Sequence, residues 1–205
     1  MPRHQAASRP LAFTRVRAVL AGALVLGVGG TMTFASWTDT EFGTASFSAS
    51  IFDTESSADG GAWASNIAAP GATFTASSGM SPLVSKYTTL DLRTTAASTV
   101  GGTITLATAA KSGTLADVLE YRIVRVASAT TCAAGVFTAG ATYIAGDFTT
   151  YIAGGAMPGS TPGSTITSPS GAFRYCFEVR IKSGTANSYQ GSTGSLTWSF
   201  TGISS

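Results

Sequence analysis

Apolar and polar residues alternate most regularly between Phe173 and Lys182. Phe173, Tyr175, Phe177, Val179 and Ile181 fall on one side, and Arg174, Cys176, Glu178, Arg180 and Lys182 on the other. A period of two predicts a strand with one face on the core and the other in solvent. The same pattern predicts a strand over Ser195–Phe200, where Leu196, Trp198 and Phe200 share a face, and another over Val100–Thr108 around Ile104 and Leu106. Ser85–Thr94 carries Tyr87, Leu90 and Leu92 in a looser register, and Phe74 marks a short additional strand. Ala45–Asp53 reads as a half-buried strand with Phe47, Ala49 and Ile51 on one face and Ser46, Ser48 and Ser50 on the other. Tyr121–Val126 is apolar on both faces, which predicts a central strand preceded by a helical turn at Leu115–Leu119. Short strands separated by turn residues predict an all-β antiparallel sandwich or barrel, with no βαβ units.

The amino-terminal pattern is of another kind. Arg15 and Arg17 precede the apolar run Ala18–Val28, and Thr33-Phe34-Ala35 places small residues at the −3 and −1 positions of a cut. These features predict a hydrophobic signal helix, cleaved between Ala35 and Ser36, with residues 1–35 as signal peptide and 36–205 as the β domain. The competing reading is a leader retained as a membrane anchor, since its apolar stretch lies at the low edge of bilayer-spanning length and is rich in glycine.

Removing the leader changes the charge. The chain has 12 Lys+Arg, 10 Asp+Glu and one His. Arg3, Arg9, Arg15, Arg17 and His4 all lie before Ala35, so the remaining 170 residues carry eight basic and ten acidic side chains, net −2. A basic argument for nucleic acid disappears, and contact with membrane is expected only through an uncleaved leader. One domain of this length buries about 70% of its unfolded surface.

Cys132 and Cys176 are the two cysteines, and in an exported chain such a pair predicts a disulfide. Cys176 lies on the polar face of its strand, placed to staple the Cys132 loop onto the sheet. Between them Thr142-Tyr143-Ile144-Ala145-Gly146 recurs as Thr150-Tyr151-Ile152-Ala153-Gly154, and Pro158-Gly-Ser-Thr161 as Pro162-Gly-Ser-Thr165. Periods of eight and four are too short for a solenoid, so a hairpin or irregular strand pair followed by a flexible loop is expected.

The arrangement Gly29-Gly30-Thr31 … Ala35-Ser36-Trp37-Thr38-Asp39, then Thr44–Ala49 and Ile51-Phe52-Asp53, resembles the leader and first strand of the TasA/camelysin family, whose leaders are cut by a SipW-type signal peptidase. Asp59-Gly60 with Trp63, Ser81-Pro82 before Tyr87–Arg93, and Tyr189-Gln190-Gly191 with Trp198-Ser199-Phe200 resemble its actinobacterial branch. One departure is that Ser81-Pro82-Leu83-Val84 stands where the family has a Ser/Pro-Gly-Asp turn. The resemblance implies a secreted jelly-roll-like sandwich at the cell surface or in a biofilm matrix. It also implies self-association into fibres by donor-strand exchange, with Phe47, Ala49 and Ile51 as candidate donor side chains. The alternative for that strand is ordinary pairing within its own subunit. A monomeric carbohydrate- or ligand-binding module, reading through the Cys132–Cys176 loop, is the competing function.

With His4 in the leader, no Ser-His-Asp or Cys-His site assembles in the exported part, and no His-Glu-x-x-His motif occurs. A non-enzyme without cofactor or metal is therefore expected. Two open readings remain. Asp39, Glu41, Asp53, Glu55 and Asp59 form either a solvated acidic edge or a calcium cluster. Trp37 and Trp63 are either loop residues or part of a carbohydrate platform, whereas Trp198 is in phase with core positions.

Overall fold

The computed structural model describes residues 11–29, 45–46, 48–68, 71–75 and 77–205. The chain divides into two units, Met1–Phe47 and Ser48–Ser205. In the first, Leu11–Gly29 forms a helix, α1. No helix among the described residues is long and apolar enough to cross a membrane. Ala35, Ser36 and Phe47, the expected cut site and first donor side chain, lie outside the described residues.

The second unit is a β-sandwich. Its larger sheet, A, contains β1 (Thr54–Ala58), β2 (Lys86–Thr94), β4 (Leu119–Val126), β5 (Thr142–Ala145), β6 (Ile152–Ala153) and β8 (Ala172–Ile181). The order is β1-β2-β8-β4-β5, with β6 also on β4. Sheet B is β7-β3-β9, built from β7 (Ser164–Ile166), β3 (Gly102–Ser112) and β9 (Ser195–Ser204). All strand pairs are antiparallel. A 3-10 turn at Thr114–Val118 leads into β4, matching the expected helical turn.

The apolar faces of β8 and β9 meet between the sheets because aromatic side chains in phase along each strand bury the most area per residue. Phe177 lies 4.8 Å from Trp198 and Tyr175 stacks on Phe200 at 4.9 Å, centroid to centroid. Tyr121 of β4 meets Trp198 edge-on, and Leu90, Leu92, Ile104 and Leu106 complete the cluster. Trp198 thus occupies the core, as its phase predicts.

Three expectations are corrected. The described residues of 45–53 form no strand, and the first strand among the described residues is β1. Phe74 lies in coil, yet its ring reaches Phe177 at 5.1 Å, so side-chain burial there does not require strand backbone. The polar face of β8 is not solvated: Cys176 and Glu178 are buried beneath the chain that runs between the cysteines.

That excursion also rearranges the expected hairpin. The two Thr-Tyr-Ile-Ala-Gly copies do not pair with each other; β5 docks on Ile123–Arg125 of β4 and β6 on Glu120 and Tyr121. A repeated strand-forming pentapeptide has thereby been laid twice, end to end, along one edge. At the end of the first copy Gly146 takes φ +71°, and a Cβ there would stand 2.5 Å from the Thr150 carbonyl oxygen, so the turn requires glycine.

Candidate functional site

Two surfaces merit construction from their residues: the amino-terminal segment with the open edge of sheet B, and the covered outer face of sheet A.

Residues 48–53 enter the domain as extended chain held by a loop and not by a strand. Ile51 N–H donates to Thr99 Oγ1 at 2.8 Å, and the Ile51 carbonyl accepts from Thr99 N–H at 2.8 Å. Asp53 N–H donates to Ser98 Oγ, which in turn donates to the Asp53 carbonyl at 2.7 Å. Hydroxyls at Ser98 and Thr99 take the place of a ladder partner, which is why period-two alternation here does not yield a strand. Phe52 turns inward over Gly102 and Gly202, where any side chain would collide with its ring, while Ile51 stays 49% exposed. Of the donor residues, Ala49 and Ile51 are thus on the surface, and the inward anchor is Phe52, a residue the alternation assigned to neither face.

The neighbouring strand β9 is ten residues long and hydrogen-bonds only to β3; among the described residues its other edge has no partner. Leu196, Trp198 and Phe200 are half-buried toward the core, while Thr197, Ser199 and Thr201 are exposed. The strand contains no charge and no proline, the usual devices that keep an edge from pairing with another chain. The other edges are protected. Ser56 of β1 bridges to Ala64, with Asn66 donating to its carbonyl and hydroxyl, and β5, β6 and β7 have at most four residues each.

On the outer face of sheet A, Glu178 is 3% exposed and organises a polar network. Its Oε2 accepts from Arg122 Nε at 2.6 Å, and its Oε1 accepts from Tyr151 at 2.8 Å and Ser85 at 2.5 Å. Burial pushes the Glu178 carboxyl up, but hydrogen bonds from Ser85, Arg122 and Tyr151 outweigh it and leave the pKa below the ordinary value. Burial, then the bond to Glu178, pushes Tyr151 up to about 12. Arg122 also donates to the Phe148 carbonyl at 2.7 Å and lies over the Phe137 ring, while Arg180 sits 3.5 Å over Tyr151 and pairs with Glu120. Arg174 grips Asp91 with two bonds of 2.8 Å and donates to the Thr130 carbonyl. Arg122, Arg174 and Glu178, through Phe148, Thr130 and Tyr151, therefore tie the excursion to the sheet, and the Cys132–Cys176 disulfide adds a covalent tie.

The carboxylates of this network are satisfied by guanidinium and hydroxyl groups. A shallow concavity of about 260 Å³ lies nearby, between Tyr143, Asp147, Thr150, Ile152 and the Pro158–Pro162 loop. The Asp147 carboxylate at its rim caps its own turn, accepting from the backbone of Thr149 and Thr150, bonds that draw its pKa down to about 2.

The acidic segment disperses. Glu55 pairs with Arg93, and Asp59 accepts from Thr88, Thr89 and Thr75, stitching the 71–75 coil to β2; Asp39 and Glu41 lie outside the described residues. No group of three or more potential ligands gathers among the described residues. Trp63 lies under the Arg93 guanidinium at 4.3 Å, and Trp37 lies outside the described residues. The unpaired β9 edge and the tandem strands on β4 escaped sequence reasoning; the absence of charge and proline in β9 was the available signal. A comparison with known proteins finds no matching family model and no matching curated protein.

Proposed function

We propose that this protein is an exported, non-enzymatic structural subunit of the cell surface or extracellular matrix that self-associates by strand addition. The observation that carries the reading is the ten-residue, uncharged edge of β9, whose unsatisfied N–H and C=O groups suit a strand from another copy. The donor in this reading is the segment ahead of Ile51, because Phe52 and Asp53 are committed to their own domain. The resemblance of the leader and its following segment to the TasA/camelysin family supports the same reading, as does the disulfide, which fits an oxidising compartment. Signal peptidase is the processing partner.

The test compares chains beginning at Ser36 and at Ile51. Both keep every described strand and the disulfide, since all of these lie beyond Asp53. The longer chain is expected to form filaments on concentration, seen by electron microscopy, and the shorter to remain monomeric. Two monomers under all conditions refute strand exchange.

A second reading, a surface ligand-binding module, draws on the Tyr143–Pro162 concavity. Glycan binding by a monomer, abolished by Tyr143→Ala, would favour it.

A further inference from the structure

The turn Ser81-Pro82-Leu83-Val84 departs from what its backbone prefers. Val84 N–H donates to the Ser81 carbonyl at 3.1 Å, closing a four-residue turn with Pro82 second and Leu83 third. Leu83 has φ +62°. A third turn residue with positive φ is ordinarily glycine or asparagine, and a branched apolar side chain there is a true outlier. The strain is not relieved by burial, since Leu83 is 57% exposed and Val84 49%. The turn is also rigidly mounted: Leu83 N–H donates to the Ile181 carbonyl at 2.9 Å, and Pro82 forms a bridge with Ile181. The backbone of the turn closes the end of β8, but the exposed Leu83 and Val84 side chains add no core packing to offset the strain.

The charges beside it are basic. Lys86 follows within the next two residues of Val84, and Lys182 follows the Ile181 to which the turn is bonded; among the described residues neither lysine forms an ion pair. The acids nearby are already engaged. Asp117, whose carbonyl receives Lys182 Nζ, pairs with Lys111, and Glu178, bonded to Ser85, pairs with Arg122 inside the protein.

We propose that the Leu83–Val84 tip is a docking element for an anionic lipid surface. Leucine and valine enter the boundary between headgroups and acyl chains, and Lys86 and Lys182 face the lipid phosphates. Two apolar side chains and two cations give weak, reversible, salt-sensitive attachment. This site is independent of the β9 edge.

The test uses the chain from Ser36 onward, sedimented with vesicles of phosphatidylglycerol or of phosphatidylcholine alone. Binding to the anionic vesicles, weakened by salt, is expected. Leu83→Gly is expected to reduce partitioning about tenfold, the transfer value of one buried leucine, and at the same time to raise the melting temperature by relieving the turn. Val84→Ser is expected to reduce partitioning without the thermal gain, and Lys86→Gln with Lys182→Gln to abolish the preference for anionic lipid. Equal partitioning of wild type and Leu83→Gly overturns the proposal, as does equal binding to both vesicle types. Self-association without lipid that Leu83→Gly removes also overturns it, by making a second copy the occupant.

Discussion

Strands β8 and β9 alternate apolar and polar residues in the same way, yet the polar side chains of β8 lie under protein and those of β9 are bare. The polar chemistry differs accordingly. Sheet A holds ten charged residues in β1, β2, β4 and β8, whereas the strands of sheet B hold Lys111 alone and present threonine and serine. The buried charges Asp91, Arg122 and Glu178 each have a partner of opposite sign, because an unpaired one would carry a large desolvation cost. Hydroxyls on an open sheet need no such partner. Charge on a strand therefore does not reveal whether its face is open; what matters is whether another segment brings the complementary groups.

The largest test of this contrast is removal of the tie on the covered face. Replacing both cysteines with serine should destabilise the protein by about 4 kcal/mol in the chain-entropy model, measured by denaturant unfolding, with Val124 and Phe137 gaining exposure. A loss below about 1 kcal/mol would mean that the polar network alone seals the face.

Glu178→Gln comes next. It keeps the shape but removes the charge facing Arg122, and about 2 kcal/mol of destabilisation is expected, the range for hydrogen bonds to charged groups. Because the folded pKa of Glu178 lies below the unfolded one, its contribution is complete above the ordinary glutamate range and is lost as pH falls through the folded value. Asp147, drawn down to about 2, acts in the same direction. Melting temperature should thus fall with acid, and less steeply in Glu178→Gln; parallel curves for the two proteins would remove Glu178 from the acid response.

The smallest effect on stability belongs to the open sheet. Thr197→Lys, on the exposed face of β9, should shift unfolding by no more than about 0.5 kcal/mol. The same substitution guards the edge and should suppress filament formation by the chain from Ser36. Stability loss like that at Glu178 would show that β9 is covered after all.

Much of the fold was legible because it depends on local periodicity. The apolar faces of β8, β9, β3 and β2, the central position of β4 and the core placement of Trp198 all follow from side chains in phase. The disulfide partners were legible because there are two cysteines. The Ala45–Asp53 strand misled because alternation reports which side chains can share a face, not whether a neighbour supplies ladder bonds. There, Ser98 and Thr99 supply them from a loop. The candidate sites were less legible still: the strain at Leu83 depends on a backbone angle, and the open edge of β9 on which strands stand beside it.

By itself, the sequence determined the main strands β2, β3, β4, β8 and β9 with their inward faces, the cysteine pair and the change of net charge when residues 1–35 are set aside. Tertiary structure alone decided that the polar face of β8 is interior and that of β9 is not. The physical reason is that burial of a polar face is a property of two segments together: the excursion between Cys132 and Cys176 returns over β8 with guanidinium, hydroxyl and carbonyl groups in register, and no described segment does so for β9.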